Sequence, residues 1–256
     1  MKIKSETFEK MAIPFTVSIA AEDTFLACRH LQKVVPQLKK ELSRIESDYS
    51  PFIETSLVSR YQKGEKTVLF DNDEFQEIFA ATIMAKDLTV GAFNPYFSDQ
   101  YDPTGYTKGW AIEKVFGQVL HPLLGDKEIS GVCLNGGGDL QFESQNHFFW
   151  NIGIENPLSL QEIISSYHLE NGAVATSGRS KRGRHIKIMG KADLEQVTIY
   201  SNSLAYSDIW ATAGMAAGGT LFNRLISKFK LTGIYMKQNG DLVIFERGRF
   251  QHVSAT

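Results

Sequence analysis

The sequence predicts an α+β fold. Helical periodicity dominates the first half of the chain and strand patterning the second, and this segregation favours α+β over a doubly wound sheet. No fixed-period repeat or low-complexity linker divides the chain, so residues 1–256 read as one domain or as two intimately packed lobes. With 256 residues, 43% hydrophobic and 22% charged, the composition is globular and sufficient for a substantial core.

Each element has a local reason. FTVSIAA (15–21) alternates β-branched and small residues and reads as a strand. From Glu22 to about Ser47, apolar residues recur at helical spacing (Leu31, Val34, Val35, Leu38, Leu42, Ile45), with Pro36 expected to kink or split the helix. After a polar turn at DYSPF, KTVLF (66–70) reads as a short strand. DNDEFQEIFAATIMAKDL (71–88) reads as a helix with Asp71 or Asn72 as its N-cap. GAFNPYFSDQYDPTGY (91–106) is rich in Gly, Pro, Asn and Asp and reads as a long loop, followed by a helix from near Lys108. Strands then follow at ISGVCLN, DLQFE, FFWNIGI, GAVATSG, HIKIM and QVTIYS. A helix covers about 206–217 and can resume after GG as TLFNRLISKF. TGIYMK and DLVIFE close the chain as a hairpin around NG.

Charge and composition exclude several functions. A formal charge of −2 provides no electrostatic footprint for nucleic acid or an acidic membrane. No apolar run approaches the roughly 20 residues needed to cross a bilayer. Lys2 and Lys4 precede FLAC (25–28), which superficially resembles a lipoprotein box. Glu6, Glu9, Pro14, Glu22 and Asp23 break that region, so the expectation is a cytoplasmic protein without a signal peptide. The only two cysteines, Cys28 and Cys133, form neither a disulfide framework nor a metal cluster and fit a reducing compartment.

Four segments can carry chemistry. LNGGGDL (134–140) joins two strands; its glycines allow a sharp turn and close ligand approach, and Asp139 adds a carboxylate. It also serves as a plain hairpin turn, and it is not a GxGxxG motif. Lys108 and Gly109 sit where a loop enters a helix, a place suited to phosphate or simply to a solvated lysine. ATSG (175–178) leads into a basic stretch ending at His185, which reads as a phosphate or flavin pocket or as an exposed hairpin tip. In SDIWATAG (207–214), Asp208 and Thr212 lie one helical turn apart and can offer two oxygens to one hard cation. A cap at the helix start would explain Asp208 but not its pairing with Thr212.

Taken in order, these segments resemble the FAD:protein FMN transferase family, the ApbE-like flavin transferases, from about residue 42 to 218. SPFIETSLVSRYQ is similar to the family's early pattern through Ser50, Phe52, Ser56, Ser59 and Arg60, with Gln62 where the family usually has Asn. GAFNP stands for Gly-Ala-Phe-Asp-Pro. DPTGYTKGWAIE places Lys108 on the family lysine and Glu113 on the family aspartate. LNGGGDL resembles the Asn-Ala-Gly-Gly-Asp turn, GAVATSG the Ala-Thr-Ser-Gly strand, and SDIWATAGMAAGG the helix whose Asp and Thr bind magnesium. The chain departs from the family at HIKIMGK (185–191), where His-Ile is kept but the Asp-Pro step is absent.

The resemblance implies mixed, largely antiparallel sheets flanked by helices. It implies FAD as substrate, Mg²⁺ or alternatively Mn²⁺ as cofactor, and an acceptor flavoprotein that receives FMN on Thr or Ser with release of AMP. Asp208 and Thr212 are the implied metal ligands, completed by a backbone carbonyl near Thr104–Thr107. Asp208 and His185 are the implied catalytic residues, His185 as base. Phe52, Lys108, Glu113, Asn135, Gly137, Gly138, Asp139, Thr176 and Ser177 are the implied FAD contacts. Water in place of the acceptor would make the same site an FAD pyrophosphatase, and loss of turnover would leave an FAD-binding protein.

Overall fold

The computed structural model describes residues 1–179, 189 and 191–251. Strands β1 (Lys2–Lys10) and β2 (Ile13–Ala21) form a hairpin. Asp23 then accepts the backbone N–H of Phe25 and starts helix α1 (Thr24–Tyr49). This helix runs unbroken through Pro36. The ring and Gln32, whose carbonyl loses its partner, both lie on the exposed face, where water can replace the missing bond.

Helix α2 (Leu57–Gln62) is capped by Ser56, and α4 (Asp73–Leu88) by Asn72, which accepts the N–H of Phe75 at 2.8 Å. Between them KTVLF is a correction to the expected strand: Thr67–Phe70 form the single helical turn α3, with the adjacent Val68 and Leu69 both buried. Alternation across a sheet cannot bury two neighbours on one face, whereas a helical turn can. Helix α5 (Thr104–Val115) starts four residues earlier than expected and continues as a π turn at Phe116–Leu120 and a 3₁₀ turn at His121–Gly125.

The remaining elements are β3 (Ile129–Gly136), β4 (Asp139–Ser144), β5 (Trp150–Asn156), β6 (Ser159–Leu169), β7 (Gly172–Gly178), β8 (Leu194–Ser201), α6 (Leu204–Phe229), β9 (Thr232–Lys237), β10 (Leu242–Glu246) and β11 (Arg249–Gln251). Among the described residues they build a nine-stranded sheet in the order β1-β2-β3-β4-β7-β8-β9-β10-β11, with every ladder antiparallel, and a separate β5–β6 ribbon. β1, β6 and β11 had no clear sequence signal, because most of their side chains are exposed or only half-buried and leave no period-2 apolar pattern. Most of the expected HIKIM strand lies outside the described residues.

Period-2 alternation divides the core between the two sheet faces. Val17, Ile19, Val132, Leu134, Ala173 and Ala175 pack toward α1, α5 and α6. Ala20, Cys133, Phe142 and Val174 pack on the other face against Trp150, Ile152 and Ile154 of the ribbon. β3 is covered on both faces, which explains its nearly continuous burial. Helix α6 is broken at Gly218, where φ is 69°. Asp193 accepts the N–H of Gly219 at 2.9 Å and restarts the second half. Among the described residues, no helix is long and apolar enough to cross a membrane.

Candidate functional site

Three elements converge where α5 and α6 cross the sheet. Glycine at position 109 lets the helices meet: a Cβ there would lie 2.9 Å from Asp208 Cβ and 3.0 Å from the carbonyl of Leu204. The adjacent Lys108 is buried, and its Nζ forms an ion pair with Asp139 at the start of β4. The same Nζ lies 3.7 Å from Asp208 Oδ2 on α6. Both carboxylates are wholly buried. Burying charge in this way is strongly unfavourable unless opposite charge is held close, and the Lys108 ammonium supplies it.

Thr212 stands one turn after Asp208, and its hydroxyl is 3.2 Å from that of Ser177 on β7. Asp208 is not the helix cap: Ser203 occupies that position and accepts the N–H of Tyr206. Asp139 Oδ1 accepts the N–H of Thr176 at 3.0 Å. β4 ends its ladder with β7 at Leu140–Val174, so this side-chain bond continues the connection past the last backbone pair. The Thr176 hydroxyl meets that of Thr198 at 2.9 Å.

The NGGG turn is shaped by its glycines. Gly137 and Gly138 take φ of 61° and 97°, and Asn135 Oδ1 accepts the Gly138 N–H at 2.8 Å. At Gly136 a Cβ would fall 2.6 Å from Ile112 Cδ1, so glycine leaves room for the Ile112 side chain of α5 against β3. Beside the turn, a cleft of about 150 Å³ lies between the large sheet and the ribbon. Its walls include Leu140, Ile152, Ile154, Thr176, Asn151 and Gln196.

The structure therefore brings together Lys108, Asp139, Asp208, Thr176, Ser177 and Thr212, with Asn135, Gly137 and Gly138 on the adjoining turn. The side chain of Glu113, on α5, reaches the start of α6, where its Oε2 accepts the Ser203 hydroxyl and the Ala205 N–H. Phe52 is 83% exposed on the turn after α1 and makes no ring stacking contact among the described residues. Thr104–Thr107 form the first turn of α5, directly ahead of Lys108. His185 lies outside the described residues. The sequence reading missed the cleft residues Asn151 on β5 and Gln196 on β8, because both strands were legible singly but not as walls of one cleft with Thr176. It also missed the close approach at Gly109.

Among the described residues, no group of three His, Cys, Asp or Glu side chains could enclose a metal ion. The available donors are all oxygens: the Asp208 carboxylate and, one turn on, the Thr212 hydroxyl. Such a set fits a hard cation that keeps most of its coordination for water and substrate oxygens.

A sequence model of the ApbE family matches residues 100–235, more than half of the chain and the stretch that holds Lys108, Asp139, Thr176, Ser177, Asp208 and Thr212. The chain belongs to the ApbE family. Solved ApbE structures share its fold. The ApbE protein of Thermotoga maritima has a TM-score of 0.77 at 16% identity, covering 96% of this chain and 100% of that one. The Pseudomonas stutzeri flavinyl transferase ApbE, in its apo form, has a TM-score of 0.72 at 15% identity, covering 95% of each chain. The Vibrio cholerae flavin transferase ApbE has a TM-score of 0.68 at 14% identity, covering 95% of this chain and 97% of that one. No curated protein sequence matches the chain.

Proposed function

We propose that this chain is a divalent-cation-dependent FAD:protein FMN transferase, acting as a single domain in the cytoplasm on an acceptor flavoprotein. The observation that carries the reading is the convergence of Asp139 and Asp208 on Lys108, beside the Thr212–Ser177 hydroxyl pair, within the stretch that matches the ApbE family. The names of the Pseudomonas stutzeri and Vibrio cholerae structures, flavinyl and flavin transferase, support it.

In this reading Asp208 and Thr212 hold Mg²⁺, or Mn²⁺ in its place, and a cation held there neutralises phosphoryl oxygens and charge on departing AMP. The chain's own groups do the rest. Lys108 keeps a second positive charge beside Asp208, and beside Asp139. The side-chain-free backbone of Gly137 and Gly138 admits close approach by the nucleotide. Asn135, its Oδ1 engaged by Gly138, keeps its amide N–H groups for ligand acceptors. The cleft, with apolar walls from Leu140, Ile152 and Ile154 and amides at Asn151 and Gln196, suits a planar ring of the dinucleotide. The acceptor hydroxyl oxygen bonds to the FMN-side phosphorus, the bond to the bridging oxygen breaks, and AMP leaves. His185 remains the candidate base on sequence grounds.

The test is incubation with FAD, Mg²⁺ and cytosolic flavoproteins carrying a Thr- or Ser-containing acceptor segment. The expected result is flavin fluorescence that stays on the acceptor in a denaturing gel, with AMP released in step. AMP without labelled protein would replace the reading with an FAD pyrophosphatase. The absent Asp-Pro step after His185 favours one further reading, a flavin carrier without turnover, and a yellow protein that releases no AMP would establish it.

A further inference from the structure

We infer that Glu113 is a positioning residue that fixes the height and rotation of the α6 turn carrying Asp208 and Thr212. The inference rests on the cation reading above and adds a residue that touches neither the cation nor the nucleotide. Helix α5 meets α6 along one face. Gly109 makes the close approach, and Glu113 lies one helical turn further on the same face.

Glu113 Oε2 accepts two bonds from the first turn of α6: the Ser203 hydroxyl at 2.8 Å and the Ala205 N–H at 2.9 Å. The Ser203 oxygen in turn accepts the Tyr206 N–H at 3.2 Å. Two of the backbone N–H groups that a helix start leaves unpaired are thus supplied through one carboxylate and one hydroxyl. The carboxylate also faces the positive end of the helix, where negative charge is stabilised.

Asp208 is three residues beyond Ala205, so the anchored turn leads directly into the ligand turn. A helix can slide or rotate against its neighbour unless a directional bond holds it, and apolar packing alone is not directional. With Gly109 setting the separation and Glu113 the register, Asp208 Oδ2 is kept 3.7 Å from Lys108 Nζ. The bonds require an acceptor oxygen rather than a charge, so glutamine can replace glutamate.

The experiment measures Mn²⁺ binding directly, by loss of the free-ion electron paramagnetic resonance signal, without FAD. FAD binding is measured separately in EDTA by flavin fluorescence, and Tm is recorded for every variant. Glu113→Ala is expected to weaken Mn²⁺ at least tenfold, Glu113→Gln less than threefold, and neither to change FAD affinity in EDTA by more than twofold. Should Glu113→Ala not fold, Glu113→Asp, one methylene shorter, is expected to weaken Mn²⁺ about threefold. Unchanged Mn²⁺ affinity with a lowered Tm would reduce Glu113 to a purely structural role and overturn the inference. Equal Mn²⁺ losses in Gln and Ala, together with weaker FAD binding in EDTA, would overturn it in favour of direct ligand contact. Asp208→Asn separates the two levels: if it leaves Mn²⁺ affinity at the wild-type value, the cation reading itself fails, whatever Glu113 does.

Discussion

Asp208 sits in a helix among the buried residues Ala205, Ser207, Trp210, Ala211 and Ala213. A carboxylate survives there because Lys108 reaches it across the Gly109 contact. Replacing a buried ion pair with apolar side chains of similar volume is often neutral or stabilising, so packing alone does not account for this charge. Asp208→Ala is expected to lower divalent-dependent flavin transfer by about 10²–10³-fold, the scale of losing one preorganised electrostatic contact. A Mg²⁺ titration of AMP release checks this, and activity with unchanged Mg²⁺ dependence would remove Asp208 from the metal site. At this scale the sequence was informative: the one-turn spacing of Asp208 and Thr212 is a property of any helix. It was silent on the contacts of Glu113, because matching a motif aspartate says nothing about which backbone groups lie opposite.

The elements show how far one residue can set a contact. Gly109 and Gly218 are both helical in sequence context, yet they do different work. At Gly109 an added methyl would meet Asp208 Cβ, the Leu204 carbonyl and, at 3.2 Å, Ala205 Cα. At Gly218 it would fall 2.2 Å from the Lys191 carbonyl, with a φ of 69° that side chains rarely adopt. Gly109→Ala is expected to cost about 1–3 kcal/mol by forcing α5 and α6 apart, and Gly218→Ala to cost more, because strain and clash add. Gly117→Ala, whose added methyl would meet nothing within 4 Å, is the control and is expected within about 0.5 kcal/mol of wild type. Urea midpoints would rank the three, and Gly109→Ala matching Gly117→Ala would refute the close-packing account. The start of α4 was legible because its cap, Asn72, acts locally. α3 was not legible, since four residues of KTVLF carry no period long enough to tell a strand from a turn.

Across the whole molecule, α1, α4 and α5 are joined at Glu74. It accepts Arg44 Nη1 at 2.8 Å and Nη2 at 3.0 Å, the Tyr49 hydroxyl at 2.5 Å, and an ion pair from Lys114. Burial works against the charged form, but hydrogen bonds from Arg44, Lys114 and Tyr49 outweigh it and lower the Glu74 pKa from 4.5 to about 2. A carboxylate whose pKa falls on folding adds stability that is fully present above its unfolded value and disappears as pH drops through its folded value. The contribution of Glu74 is therefore expected to fade between pH 4.5 and about 2. Urea midpoints of wild type and Glu74→Gln should converge across that window and differ above it. A gap that persists unchanged to the acid end would show that the carboxylate charge is not what joins the helices.

The sequence by itself determined the α+β class, the longer helices and most strands, the Asn72 cap, and the residue types of the site, because periodicity, capping and glycine turns act over a few residues. It also carried the motifs that place the chain in the ApbE family. Only the tertiary structure decided that Lys108 stands between Asp139 and Asp208, that Thr212 meets Ser177, and that Glu113 holds the start of α6. These pairs lie 31 to 100 positions apart in the chain, and the strand order and helix crossing that join them depend on the burial of both faces of one sheet at once, which no local pattern encodes.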